Sequence, residues 1–88
     1  MAVMNGCRPR SAGTVKIQSA DASVAPAIDP QYFTDPDDLR VLRDAIRLTR
    51  KIIAQPAYDD FRGIEYGPGA HCDDDQGLDQ YIRQHANS

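Results

Sequence analysis

Residues 35–54 constrain this chain more than any other stretch. Asp35 is a good N-cap, Pro36 fits the first helical position, and Asp37 and Asp38 sit at the positive end of a helix dipole. Leu39, Val41, Leu42, Ala45, Ile46, Leu48, Ile52 and Ile53 recur at helical period and form a wide apolar stripe. Arg40, Arg43, Asp44, Arg47, Arg50 and Lys51 occupy the other side, the last cations suiting a C-terminal dipole end, and Asp44 lies within reach of Arg40 and Arg47. Pro56 stops the run. The pattern predicts one helix over 35–54, about 30 Å long. In a chain of 88 residues such a helix wants a larger body to lie against.

The rest of the chain is short of material to provide that body. At 9.7 kDa there is room for one small domain. A chain of this size is expected to bury only about 60–65% of the surface its unfolded form exposes. It has no Trp and six other aromatics, so a stand-alone fold would be marginal. The apolar content of 41% and charged content of 26% are ordinary for a globular chain. A net charge of -3 argues against a nucleic-acid binder. Mean hydropathy is -0.55, and no apolar run reaches the ~20 residues of a membrane span. The start, Met1 to Cys7, lacks the basic and apolar regions of a signal peptide, which makes the cytoplasm the expected compartment. Cys7 and Cys72 form no disulfide framework and are expected reduced. Charge is uneven: residues 1–58 carry eight Lys+Arg against six Asp+Glu, and residues 59–88 carry two against seven. The acidic last third is expected to be solvated loop and helix surface.

Other elements are shorter. Residues 2–8 are a candidate short strand limited by Gly6 and Pro9, and Arg8 to Gly13 is turn-like. Thr14 to Gln18 alternates as a half-buried strand, with Val15 and Ile17 turned toward the long helix or a sheet interior. Residues 19–30, with Pro26 and Pro30, read as an extended connection. Tyr58, Phe61, Ile64 and Tyr66 mark a short aromatic stretch, and Gly67-Pro68-Gly69 a turn. A second helix starts near Asp74 or Asp75, with Leu78, Tyr81, Ile82 and His85 on one face and Gly77 weakening its first turn. The fold class expected is α+β: short antiparallel strands with one long and one short helix.

Candidate chemistry is sparse. His71, Cys72, Asp73, Asp74 and Asp75 are the one dense cluster of ligand-type side chains, but His85 or Cys7 would have to complete it and neither has a partner at zinc-ligand spacing. As a calcium loop the run fails at Gly77, one residue early, and at Gln84, where Glu is required. Gly67-Pro68-Gly69 lacks the G-K-[ST] ending of a phosphate loop, and Pro68 removes a donor. Arg40, Arg43, Arg47, Arg50 and Lys51, interleaved with Asp44, read as a solvated face rather than a phosphate track. Asp37-Asp38 and Asp59-Asp60 are neighbours that diverge on a helix and make no acid–base dyad. His85 reads as a packing residue. The residues therefore give no catalytic, cofactor-binding or metal site.

One ordered series of short runs is more telling. Arg8-Pro9-Arg10-Ser11-Ala12-Gly13-Thr14-Val15-Lys16-Ile17 resembles the strand-entry motif R-P-x-S-R-G-x-V of the glucose–methanol–choline (GMC) oxidoreductases. Ser19-Ala20-Asp21, Pro26 to Tyr32, Asp35 to Leu39, Arg43 to Arg50, Gln55-Pro56-Ala57, Phe61-Arg62-Gly63, Pro68-Gly69 and Leu78 to Arg83 continue the likeness over nearly the whole chain. The wording is closest to the choline dehydrogenase branch. The resemblance implies an FAD-dependent flavoprotein that oxidises an alcohol to an aldehyde, with a flavin domain and a substrate domain. It implies that residues 1–88 are part of the C-terminal substrate domain, a scaffold segment inactive alone, whose partners are the flavin domain and the alcohol. The family's dinucleotide motif is not among these residues, and its catalytic His belongs to an H-P-x-G run beyond His85-Ala86-Asn87-Ser88, with a second catalytic His or Asn further on. Ala12 stands where the family usually has Arg, which puts the anchoring of that turn in question. The competing reading is a small α+β interaction protein that docks through the 35–54 helix.

Overall fold

A computed structural model describes residues 1–86. The element order is β1 (Thr14–Lys16), β2 (Ala27–Asp29), α1 (Pro36–Ile53), a 3₁₀ turn (Pro56–Tyr58) and α2 (Asp75–His85). This is the α+β arrangement the sequence predicts. β1 and β2 pair antiparallel with Thr14 opposite Asp29, Val15 opposite Ile28 and Lys16 opposite Ala27. No helix among the described residues is long and apolar enough to cross a membrane.

Both helices begin and end for visible reasons. The Asp35 carboxylate accepts a hydrogen bond from the Asp37 N–H, and Pro36 opens α1. Its last carbonyl, of Ile53, accepts from Arg62 Nη1 at 3.0 Å, and the same nitrogen donates to the Gln55 oxygen just beyond the helix at 3.4 Å. Asp74 caps α2 by accepting from the Gly77 N–H at 3.1 Å. A Cβ at residue 77 would come within 2.6 Å of the Asp74 carboxylate and 3.1 Å of the Cys72 sulfur. Gly77, a weak helix former, is therefore what lets the cap and the Cys72 thiol close on the first turn.

The core lies between the helices. Leu39 and Ile46 of α1 and Leu78 and Ile82 of α2 are buried, and Met4, Phe33, Leu42 and Cys72 pack around them. Leu78 alone among the described residues is a large side chain with no exposed surface. Phe33 reaches this core from the turn between β2 and α1, where Gln31 (φ 50°) and Phe33 (φ 61°) hold the left-handed conformation. The Arg83 guanidinium lies 5.9 Å from the centre of the Phe33 ring.

The strand pair lies outside this core. The half-burial expected for Thr14 to Gln18 is not found: Val15 is 70% and Ile17 88% exposed, and the strand is the three residues Thr14–Lys16. Alternation sets the phase of a strand, but burial needs a second layer, and none among the described residues lies over β1. Residues 2–8 form no strand; Met4 uses this stretch to reach the helical core instead. Within the expected extended connection 19–30, residues 27–29 pair as β2. The molecule is consequently long, 58 × 25 × 22 Å with a radius of gyration of 17.2 Å, against ~12 Å for a compact domain of this length. Its accessible surface is 7149 Å², where scaling gives about 5,100 Å² for a compact protein of this mass and leaves about half of the unfolded surface buried rather than the expected 60–65%.

Because four buried side chains carry the core, each matters. Leu78→Ala is expected to cost about 2–5 kcal/mol, enough to release α2 from α1. Loss of helical circular dichroism and a lower urea midpoint would report it; an unchanged midpoint would show that the core lies elsewhere.

Candidate functional site

The polar face of α1 is where the sequence reading needs its largest correction. Residues 43, 47 and 50 lie on one flank of the helix, at spacings that stack side chains one above another. That flank is paired rather than free, with Arg43 and Arg50 about a fifth exposed and Arg47 more so. Arg43 Nη1 donates to the Asp79 carboxylate at 2.7 Å, and Arg47 Nη2 donates to the Asp75 carboxylate at 2.7 Å and to the Asp73 carbonyl at 3.1 Å. Arg50 forks onto Glu65, with Nε to Oε1 and Nη2 to Oε2 both at 2.8 Å. The same Nη2 donates to the carbonyls of Gly69, at 3.0 Å, and Cys72, at 2.9 Å. Glu65, Asp75 and Asp79 of the acidic last third are thus counter-charges of the arginine row, while most of that segment, Asp73 and Asp75 included, is solvated surface as expected. Arg40 does lie on a solvated face: it pairs with Asp37 at 3.2 Å and Asp44 at 3.4 Å and stays exposed.

Titration follows this geometry. The Arg50 fork holds the Glu65 carboxyl below its ordinary range against the opposing effect of burial, and Glu65 raises Arg50 in turn. Arg47 lowers Asp75, and the hydrogen bond to Asp79 raises Arg43. At the other end of α1, the Asp38 carboxylate accepts from the backbone N–H groups of Arg10 and Ser11, both at 2.9 Å. These bonds, Arg10 first, lower its pKa. Ser11 Oγ accepts from the Asp35 N–H at 3.0 Å, and Arg10 pairs with Asp37 at 2.9 Å. The turn that carries Ala12 is therefore fastened to the start of α1 without a guanidinium at position 12.

The other singled-out residues do not converge. His71, Cys72, Asp73, Asp74 and Asp75 point to different tasks: Asp74 caps α2, Asp75 binds Arg47, and Asp73 and Cys72 offer carbonyls to the arginines. No group of three His, Cys, Asp or Glu side chains among the described residues is placed to hold a metal ion. Cys7 and Cys72 are free thiols. Asp59 pairs with Arg62 at 2.7 Å. His85 is exposed; its ring stacks on Tyr81 at 4.2 Å, and its Nδ1 lies 2.9 Å from the Tyr81 carbonyl. Gly67-Pro68-Gly69 is a turn in which Gly69 (φ 96°) is buried with its carbonyl on Arg50.

Neither helix start fits a dinucleotide pyrophosphate. A pyrophosphate needs a helix N-terminus with free backbone N–H groups and no nearby anion. Asp35, Asp37 and Asp38 crowd the start of α1, and Asp74 and Asp75 the start of α2. What the arrangement does is mechanical: it clamps the segment from Glu65 through Asp79 along α1 and fixes the angle of α2. Sequence reasoning missed Glu65 and Asp79 as partners because they lie 15 and 36 residues from their arginines. The opposite charge balance of the two parts of the chain was the available signal.

Removing the clamp should be measurable. Arg50→Ala removes the fork onto Glu65 and the bonds to two carbonyls, of which Gly69 keeps the Cys72 N–H as a donor; each lost bond of this kind is worth about 1–3 kcal/mol, trimmed by solvent because the pair is about a fifth to a third exposed. Faster amide exchange over 65–75 is the expected readout, and Arg50→Lys should not restore protection, since an ammonium cannot fork. Acid should act the same way. Glu65, Asp75 and Asp38 titrate below their ordinary values, so their contribution is complete above the ordinary carboxylate range and is lost as pH falls through the lowered values. A urea midpoint that drops below about pH 4 is expected; a midpoint flat from pH 6 to 2 would contradict it.

Comparison with known proteins accounts for a chain built this way. The GMC oxidoreductase family model matches residues 9–88. An oxygen-dependent choline dehydrogenase of Cronobacter sakazakii is 47% identical over 81 residues, which are 92% of this chain and 14% of that protein. Those of Pseudomonas entomophila and Chromohalobacter salexigens are each 44% identical, over 85 and 81 residues, or 97% and 92% of this chain and 15% and 14% of theirs. The chain thus spans about a seventh of the length of these relatives. Matched over nearly all its residues, it belongs to the GMC oxidoreductase family.

Proposed function

We propose that this chain is a scaffold segment of the C-terminal substrate domain of an FAD-dependent, choline dehydrogenase-like enzyme that oxidises an alcohol to an aldehyde. The observation that carries the reading is its match, over 92–97% of its length, to a 14–15% portion of oxygen-dependent choline dehydrogenases. In such an enzyme the flavin supplies the hydride acceptor. Hydride transfer also needs a base within hydrogen-bond reach of the hydroxyl. The part of this chain is to hold shape: the arginine row locks α2 onto α1, Asp38 locks the Arg10-Ser11 turn onto the start of α1, and β1 and β2 present a short antiparallel pair. The flavin domain, the catalytic His segment and the alcohol belong to the remainder of the enzyme.

The 88-residue chain alone is accordingly expected to bind no FAD and oxidise no alcohol. Its two helix starts carry carboxylates where a pyrophosphate would sit, and a missing general base alone is worth ~10²–10⁴-fold in rate. The test is to purify the chain, add FAD, remove the excess, and measure visible absorbance and choline-dependent dye reduction. Stoichiometric flavin with turnover would overturn the reading.

A further inference from the structure

The apolar stripe of α1 is two seams rather than one. At 100° per residue, Leu39, Leu42 and Ile46 share the direction that faces α2. Val41, Ala45, Leu48 and Ile52 form a second row at i, i+4, i+7 and i+11, about 120° away around the axis. The arginine flank lies on the other side of the core-facing seam and is closed by Glu65, Asp75 and Asp79. In the second seam Val41, Leu48 and Ile52 are 46%, 58% and 48% exposed. From this geometry we infer that the second seam is a docking surface, and that its occupant is the part of a GMC oxidoreductase that lies outside this chain.

Three observations select that occupant. The relatives run to about seven times the matched length, so a covering body exists in proteins that share this segment. The flanking charges Arg40, Asp44 and Lys51 are of mixed sign, which offers nothing to a polyanion. Three half-exposed side chains are also far too little for two separate molecules, since a stable interface takes ~800 Å² from each partner. A covalently continuous body pays no such association cost, and a narrow seam suffices for it. The inference rests on the reading that this chain is a segment of such an enzyme.

The test compares one substitution in two settings. Leu48→Asp is made in the 88-residue chain and in a chimera in which the stretch of the Pseudomonas entomophila choline dehydrogenase that aligns with this chain is replaced by the aligned residues of this chain. In the isolated chain the substitution is expected to leave helical content and urea midpoint unchanged and to reduce binding of a hydrophobic dye. In the chimera it should lower the melting temperature by about 5 °C or more, because an unpaired charge is then buried. Lys51→Ala, on the exposed flank, should be silent in both. A chimera that tolerates Leu48→Asp as the isolated chain does would overturn the seam alone. So would an isolated chain that unfolds on Leu48→Asp, or one that sediments as a dimer until Leu48 is changed, the latter giving the seam to a second copy. A chimera with the unchanged segment that fails to fold or to hold flavin would overturn the reading above, and the seam with it.

Discussion

The Arg50 guanidinium is the point on which the helical part of this molecule turns. Its fork onto Glu65 and its bonds to the Gly69 and Cys72 carbonyls organise eight consecutive residues that have no regular secondary structure. Asp74 and Gly77, which start α2, follow directly. The apolar contact between Leu39, Ile46, Leu78 and Ile82 is small. It forms only because α2 is delivered at the right place and angle. Arg43 and Arg47 repeat the same device one turn apart, so α2 is held along its first half by charge-assisted bonds and beneath by Leu78.

What the sequence discloses and what it conceals divide along physical lines. Local signals are reliable: Asp35-Pro36 and Pro56 bound α1, and Asp74 caps α2, because a cap or a proline acts within a few residues. Signals that depend on a second body are not. Val15 and Ile17 alternate as buried residues do, yet nothing described here lies over them. The arginine row reads as a polar face because its acceptors are distant in sequence, and several are backbone carbonyls that leave no trace in residue identity. The same holds for the N–H groups of Arg10 and Ser11 that bind Asp38. Among the described residues, Asp38, Glu65, Asp75 and Asp79 are engaged in fastening segments, and a carboxylate committed to a guanidinium is a poor base.

Family membership and surface anatomy point the same way. A chain that spans about a seventh of its relatives exposes more surface than its mass requires and keeps apolar rows on both the strand pair and α1. The arginine row of α1, by contrast, finds its partners within the segment. Its charge pairs are thus largely internal, and its apolar rows stay exposed. That division suits a piece of a larger domain, since apolar surfaces tolerate repacking while fixed charge pairs do not.

The separation of the strand pair from the helices has a consequence for how the chain comes apart. A two-stranded ribbon without a second layer has little of its own to resist opening, and β1 and β2 touch the helical part chiefly through the Arg10-Ser11 turn and the residues around Phe33. Unfolding should accordingly proceed in two uncoupled steps rather than one. The amides of Thr14–Lys16 and Ala27–Asp29 would exchange on the timescale of an open chain while those of α1 beneath Leu78 remain protected. A melting temperature followed through the helices would then say nothing about the strands.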